Sequence, residues 1–175
     1  TSRRQRQMCI RDRVGSATNQ GAGATFLKNT LTRISRSLGY SYDETQAMIA
    51  RSFMISADNG HALHPNHGEY ADPVNAPRLN EGIVIKFNAQ QKYATDGFSA
   101  AFFRDLCRRA KVPTQTFTNR SDIPGGSTLG NISNTKVSMP TVDIGIPQLA
   151  MHSSYETAGT KDTAYLVMAC TAFFE

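Results

Sequence analysis

An α/β layered fold is predicted for this 175-residue chain, and three observations predict it. Short runs at 52–57, 82–88, 114–118 and 141–145 have the length of strands, and the first is apolar enough to be buried. Between and beyond them lie segments with helical spacing of apolar residues, at 27–38, 96–110 and 160–174. Strands alternating with helices require helices packed on a sheet, since neither element buries its apolar side alone. A chain of this length holds one domain with a real core, and no internal repeat or inner boundary is visible.

In order along the chain, ordinary folding signals begin at Val14. Gly15-Ser16 and Asn19 offer N-cap residues. Leu27, Leu31, Ile34 and Leu38 then share one helical face, and Gly39 is placed to cap it. Ser41 with Glu44 forms a capping box that opens a second helix to about Arg51. Ser52–Ala57 reads as a buried strand ending at Asp58. Residues 59–82, rich in Gly, Pro, Asn and His, read as loop. Gly82–Asn88 is the second strand. Phe98, Ala101, Phe102 and Leu106 mark a helix over about 96–110, and Thr114–Thr118 is the third strand. Ile123–Gly130 is a glycine-rich loop and Thr141–Gly145 the fourth strand. A closing helix from Thr160 to Phe174 turns Tyr165, Leu166, Ala169 and Phe173 inward.

Composition excludes several function classes. Hydrophobic residues make up 39% and charged residues 19%, as in soluble globular proteins. No apolar run approaches the roughly 20 residues that cross a bilayer, so no membrane role is expected. Cys9, Cys107 and Cys170 are far apart and form no CxxC, which reads as reduced thiols in a cytoplasmic protein. Cys107 and Cys170 fall in apolar helical patterns, where packing is their expected role. No apolar stretch follows the Arg-rich N-terminus, so no secretory signal is read. The formal charge of +5 is concentrated at that end. Residues 1–13 carry five Arg and one Asp, and without them 14 basic residues face 13 acidic ones. The division expected is therefore a non-native or disordered Arg-rich tail, 1–13, and a folded unit, 14–175. A basic arm for nucleic acid is the competing reading of the tail. No basic or aromatic pattern continues into the body, and no nucleic-acid partner is expected.

The chemistry concentrates around the histidines. All four, His61, His64, His67 and His152, lie in two short stretches, and Asp58 precedes the first three at three-residue spacing. Carboxylate and neutral imidazole are common zinc ligands. A local metal site is one reading. The other is a His-Pro-Asn turn whose imidazoles hydrogen-bond the backbone. Pro65 prevents a regular helix from stacking the ligands.

Four motifs go further. Ser56-Ala-Asp-Asn-Gly-His-Ala-Leu-His-Pro-Asn66 resembles the "SAD…HAxHPN" segment of the aspartyl aminopeptidase and aminopeptidase I family of zinc metallopeptidases. Gly82-Ile-Val-Ile-Lys-Phe-Asn88 with Gln91-Lys-Tyr93 resembles its "VIKxNxxQRY", Ile123-Pro-Gly-Gly-Ser-Thr-Leu-Gly130 its "PCGSTIGP", and Asp143–Ser153 its "DxGxPQLAMHS". They occur in the family's order at matching intervals, and the resemblance runs from Val14 to the C-terminus.

The resemblance implies a zinc-exopeptidase-like α/β/α catalytic domain, of which this chain is the C-terminal portion. It implies a metalloaminopeptidase that removes N-terminal residues, acidic ones among them, from peptide substrates. The cofactor implied is Zn2+, two ions per subunit, with Mn2+ or Co2+ as substitutes, and the assembly a homo-oligomer of twelve subunits. Residue by residue, it makes Asp58 a ligand of one metal and His152 a ligand of the other. His61, Lys86, Tyr93, Gly126 and Ser127 fall on the substrate side. A phosphate loop at 123–130 is discounted because no Gly-Lys-Ser/Thr follows.

Two departures qualify this. Tyr155 stands where the family's "MHSxRE" has Arg. Asp12 and Arg13 stand before Val14-Gly15-Ser16, where the family's "EEVGS" has the general-base Glu and a Glu ligand. Arg13 cannot ligate zinc. No catalytic residue is therefore assigned in this chain, an inactive fragment is expected, and the alternative is a non-catalytic interaction module that keeps the fold.

Overall fold

A computed structural model describes residues 21–123 and 125–175. The readings placed on Cys9, Asp12, Arg13, Val14, Gly15, Ser16 and Asn19, and on the tail itself, lie outside those residues.

The elements run α1 (Phe26–Ser37), α2 (Tyr42–Ala50), β1 (Met54–Ala57), β2 (Gly60–His61), a 3-10 turn (Gly68–Tyr70), β3 (Ile83–Phe87), α3 (Gly97–Arg109), β4 (Thr114–Thr118), α4 (Leu129–Asn134), β5 (Thr141–Gly145), β6 (Pro147–Leu149), β7 (Thr157–Ala158) and α5 (Thr160–Phe174). The predicted α/β class is the observed one. Local chemistry sets the helix starts. Ser41 and Glu44 form the expected capping box on α2, and Asp96 and Ser99 form a second one on α3. Gly39 follows α1 at φ 82°, as its capping role requires.

β1, β5, β3 and β4 form one sheet in that order. β1 runs parallel to β5, β3 parallel to β4, and β3 antiparallel to β5. The pleat gives this sheet two different faces. Ile83, Ile85, Val142 and Ile144 point one way and meet Phe103, Leu106 and Cys107 of α3 and Ala169 of α5 in the main core. Each Val or Ile buried there contributes about 1.5–3 kcal/mol relative to exposure. The residues between them point the other way. Register places Ser56 beside Asp143 and Lys86 beside Phe117. The pairing of Ile85 with Ile144 puts Lys86 next to Asp143. The second face thus buries Ser56, Lys86 and Asp143 beside an apolar cluster of Val84, Tyr93 and Phe117, and α4 packs over its β1–β5 side.

β2, β6 and β7 form a second, small sheet. β1 and β5 pass into it together as β2 and β6, held by Asp58 N–H to Ile144 O (2.9 Å), Gly60 N–H to Ile146 O (3.0 Å) and Ala62 N–H to Gln148 O (2.9 Å). Two-residue strands carry no periodic signal, so the sequence reading of 59–82 as pure loop missed β2, and it missed β6, β7 and α4 as well.

Two helical faces differ from expectation. On α1, Ile34 is 50% and Leu38 64% exposed; among the described residues the α1 stripe does not reach the core. On α3 the helix is where the spacing put it, but the buried face is Ser99, Ala100, Phe103, Leu106 and Cys107, while Phe98 is 65% exposed. The phase was one residue off because apolar residues occur on both sides of that helix. The inward side of α5 is as predicted, with Ala169 fully buried and Tyr165, Leu166 and Phe173 against the core.

Cys107 packs in the core as expected, and Cys170 is partly buried near it. Burial pushes the Cys107 thiol up to about 12, with Cys170 adding to the effect. Since the thiolate is the reactive form, alkylation of native protein at pH 8 is expected to modify Cys107 at less than about a hundredth of the rate seen in urea. Equal rates, read by mass spectrometry of the Cys107 peptide, would remove Cys107 from the core.

Candidate metal and substrate site

One cavity of about 1010 Å³ opens where the two sheets join. Its walls include Asp58, His61, Lys86, Tyr93, Gly126, Ser127 and His152, the seven side-chain and loop positions singled out in the sequence. They come from five separate segments.

Asp58 sits in the joint after β1. Its carboxylate is exposed to the cavity, and its backbone N–H is fixed by Ile144 O. The carbonyl side is pressed against β5. A Cβ on Gly145 would stand 2.7 Å from Asp58 C and 2.9 Å from Asn59 Cα, and closer still to Asp58 O. Gly145 lets the joint lie directly on the neighbouring strand.

His152 lies in the turn after β6. Its φ of 66° and that of Ala150, 53°, are left-handed values uncommon for non-glycine residues. Such backbone persists where surroundings over-determine it. Here Ser153 N–H bonds Ala150 O, and His152 N–H donates to Glu156 Oε1 at 2.7 Å. Glu156 thereby closes the turn. Tyr155 is exposed, with its N–H on Ser153 Oγ (3.1 Å).

His61 lies in β2, paired with Gln148 of β6. Although its ring faces the open cavity, partial desolvation holds its pKa below the ordinary value, and His152 and Lys86 nearby push the same way. The clustered histidines divide as follows. His64 Nδ1 accepts from Asn66 N–H (3.2 Å), the backbone-capped turn of the simpler reading. His67 pairs with Glu69 (3.0 Å) and is exposed. Both line the same cavity as Asp58, but among the described residues no three His, Cys, Asp or Glu side chains stand close enough together to hold a metal ion.

Lys86 is the least expected feature. It is 2% exposed, which overturns any reading as a surface charge. Its Nζ donates to Asn59 O (3.0 Å) and lies 5.6 Å from the Tyr93 ring centroid. Desolvation lowers its pKa, and Asp58 and Asp143 oppose that. Tyr93 is pushed up to about 12 by burial, with Asp143 and Asp58 contributing. Its hydroxyl donates to Asn119 Oδ1 at 3.3 Å.

Asp143 was legible only as the first letter of a motif, yet it organises this floor. Fully buried, its carboxylate accepts from Ala94 N–H and from Thr128 Oγ1 (2.8 Å). It therefore ties the segment after β3, which carries Tyr93, and the 125–130 loop, which carries Gly126 and Ser127, to β5. Ser127 Oγ bonds Asn131 Oδ1 (2.7 Å), and Gly126 is exposed at the cavity wall.

The donors present suit zinc in part. A carboxylate and an imidazole, distant in sequence, open on one cavity beside a neutral-favouring His61 and a buried ammonium. Asp58 and His152 supply donors for part of a coordination sphere and not for all of it.

Comparison with known proteins bears on the family and the fold. The sequence model of the aminopeptidase I zinc metalloproteases (M18) matches residues 7–174. A probable M18 family aminopeptidase 2 of Clostridium acetobutylicum is 48% identical over 163 residues, 93% of this chain and 38% of that protein. Among solved structures, a chain of the cryo-EM structure of the Ape4 and Nbr1 complex superimposes with a TM-score of 0.88 at 40% identity, over 92% of this chain and 30% of that one. The S. cerevisiae mApe1 dodecamer superimposes with a TM-score of 0.77 at 30% identity, over 91% and 35%. The chain thus spans about two fifths of the curated relatives it matches. Within the described residues no helix is long and apolar enough to cross a membrane.

Proposed function

The chain belongs to the M18 family of aminopeptidase I zinc metalloproteases, and on that footing we propose that it is part of an aminopeptidase removing N-terminal residues from peptides at a two-zinc site. The observation that carries the reading is the convergence of Asp58 and His152, 94 positions apart, on one cavity with His61, Lys86 and Tyr93. Asp58 would hold one metal and His152 the other. Bound there, the metals would supply Lewis-acid and water-activating chemistry.

The chain's own residues supply binding and orientation. His61, held toward its neutral form, offers a ring nitrogen to the substrate without adding charge beside the metals. Lys86 places a desolvated ammonium on the floor, suited to an acidic N-terminal side chain through a charge-assisted hydrogen bond. Tyr93 flanks it. The loop at Gly126 and Ser127 offers backbone and hydroxyl groups along the wall. The general-base Glu that the family resemblance calls for has no counterpart, Asp12 and Arg13 standing there instead. The 175-residue chain alone is therefore expected to be inactive. Purified chain with added zinc or manganese should release no N-terminal residue above blank from aspartyl or leucyl peptides, and robust turnover would overturn the requirement for the missing groups.

In the whole protein the partners proposed are peptides and further copies of itself, since the S. cerevisiae relative is a dodecamer, and the compartment proposed is the cytoplasm. A second reading, a fold-keeping interaction module, is favoured by Arg13 in a ligand position. Reading the frame upstream of Val14 separates the two: in-frame Glu-Glu, His and Asp support the enzyme.

A further inference from the structure

We propose that Asn59 and Gln148 are positioning residues that fix the separation of Asp58 from His152, an inference that rests on the two-metal reading above. Asn59 is the joint between the two sheets, belonging to neither β1 nor β2. It is held twice, by side chains rather than by the strand ladder. Its carbonyl accepts from Lys86 Nζ (3.0 Å), and its Nδ2 donates to Gln148 Oε1 at 2.8 Å across 89 positions.

Gln148 is placed to transmit that grip. It is the last buried residue before the His152 turn, and its backbone carbonyl accepts from Ala62 N–H. Between Gln148 and His152 the backbone enters its left-handed stretch at Ala150. Backbone hydrogen bonds from Asp58 N–H to Ile144 O and from Gly60 N–H to Ile146 O set the strand spacing on either side of the joint. The amide bridge adds a side-chain tie across it: one end adjoins Asp58 and the other roots the turn that carries His152. Donors held to about half an ångström are what a metal site needs; hydrogen bonds made directly to metal ligands are worth about 10–100-fold in metal affinity, and this bridge, one residue further out, is expected at the lower end of that range.

The test uses the full 175-residue chain and Co2+ as the probe, followed by its visible absorption and by calorimetric titration. Asn59→Ala and Gln148→Ala should each weaken Co2+ binding about tenfold. The double variant should be no weaker than either alone, because the two residues act as one unit. Gln148→Glu, which keeps an acceptor for Asn59 Nδ2, should bind at least as well as the wild type. Unchanged affinity in both single variants, or losses that multiply in the double, would overturn the proposal. A wild-type chain that takes no Co2+ would instead show that Asp58 and His152 hold no metal without further donors. The positioning role is then decided by crystal structures of the wild-type and Asn59→Ala chains: a longer or variable Asp58–His152 separation in the variant supports it, and an unchanged one overturns it.

Discussion

Gly145→Ala is expected to be among the most destabilising single substitutions in this chain, costing about 3 kcal/mol or more. Overpacking a core with added carbon costs about 1–3 kcal/mol where side chains can yield. Here the obstacles are main-chain atoms, Asp58 O and C and Asn59 Cα, which are themselves held by Ile144 O and Lys86 Nζ. Relief requires β5 and the joint to separate, which breaks the ladder on both sides. For a domain of this size, 3 kcal/mol lowers the melting temperature by about 6–12 °C. Circular dichroism melts of wild type and variant check this. A shift under 2 °C would mean that β5 and the joint do not lie as close as described. If the variant folds, the displacement should appear at Asp58, and Co2+ binding should fall with it.

Asp143→Ala should cost about 3–5 kcal/mol, the range for removing one partner from a buried charged cluster. Two effects combine. The carboxylate's hydrogen bonds to Ala94 N–H and Thr128 Oγ1 are lost, leaving buried donors unsatisfied. Lys86 also loses one of the two carboxylates that favour its charged form. Asp143→Asn should cost less, because an amide still accepts from one donor. A measurement other than stability separates fastening from bulk packing. Asp143 helps raise the Tyr93 hydroxyl, so in the Asn variant Tyr93 should titrate below about 12. Removing one unit of nearby negative charge eases deprotonation, and the pKa moves toward the ordinary tyrosine value. Chemical denaturation and an NMR titration of labelled tyrosine decide the point. An Ala variant as stable as the wild type would show that the loops are held by something else.

Both predictions concern residues whose importance the sequence showed only as letters in motifs. Local chemistry made most elements readable. The capping box at Ser41 and Glu44, the β-rich run at 114–118 and the spacing of Tyr165, Leu166, Ala169 and Phe173 each encode their structure within a few residues. The α3 face was misjudged because Phe98 adds apolar area that stays exposed and Phe102 packs at the edge of the core, on Phe53 and Phe173. Motif resemblance put Lys86 on the substrate side, but nothing local states that it is buried or that Asp143, 57 positions later, will lie beside it.

The sequence by itself determined the α/β class, the four main strands and the family, and it named Asp58 and His152 as candidate donors, because these depend on periodicity, caps and motif order. Tertiary structure alone decided which residues act together. Pairing β1 with β5, and carrying both into the second sheet, is what sets Asp58 and His152 on one cavity, while His64 and His67, on its wall, are engaged by Asn66 N–H and Glu69. Strand pairing between distant segments is a long-range choice, made by the burial of one sheet face and the pairing of buried charge on the other. No local pattern contains it.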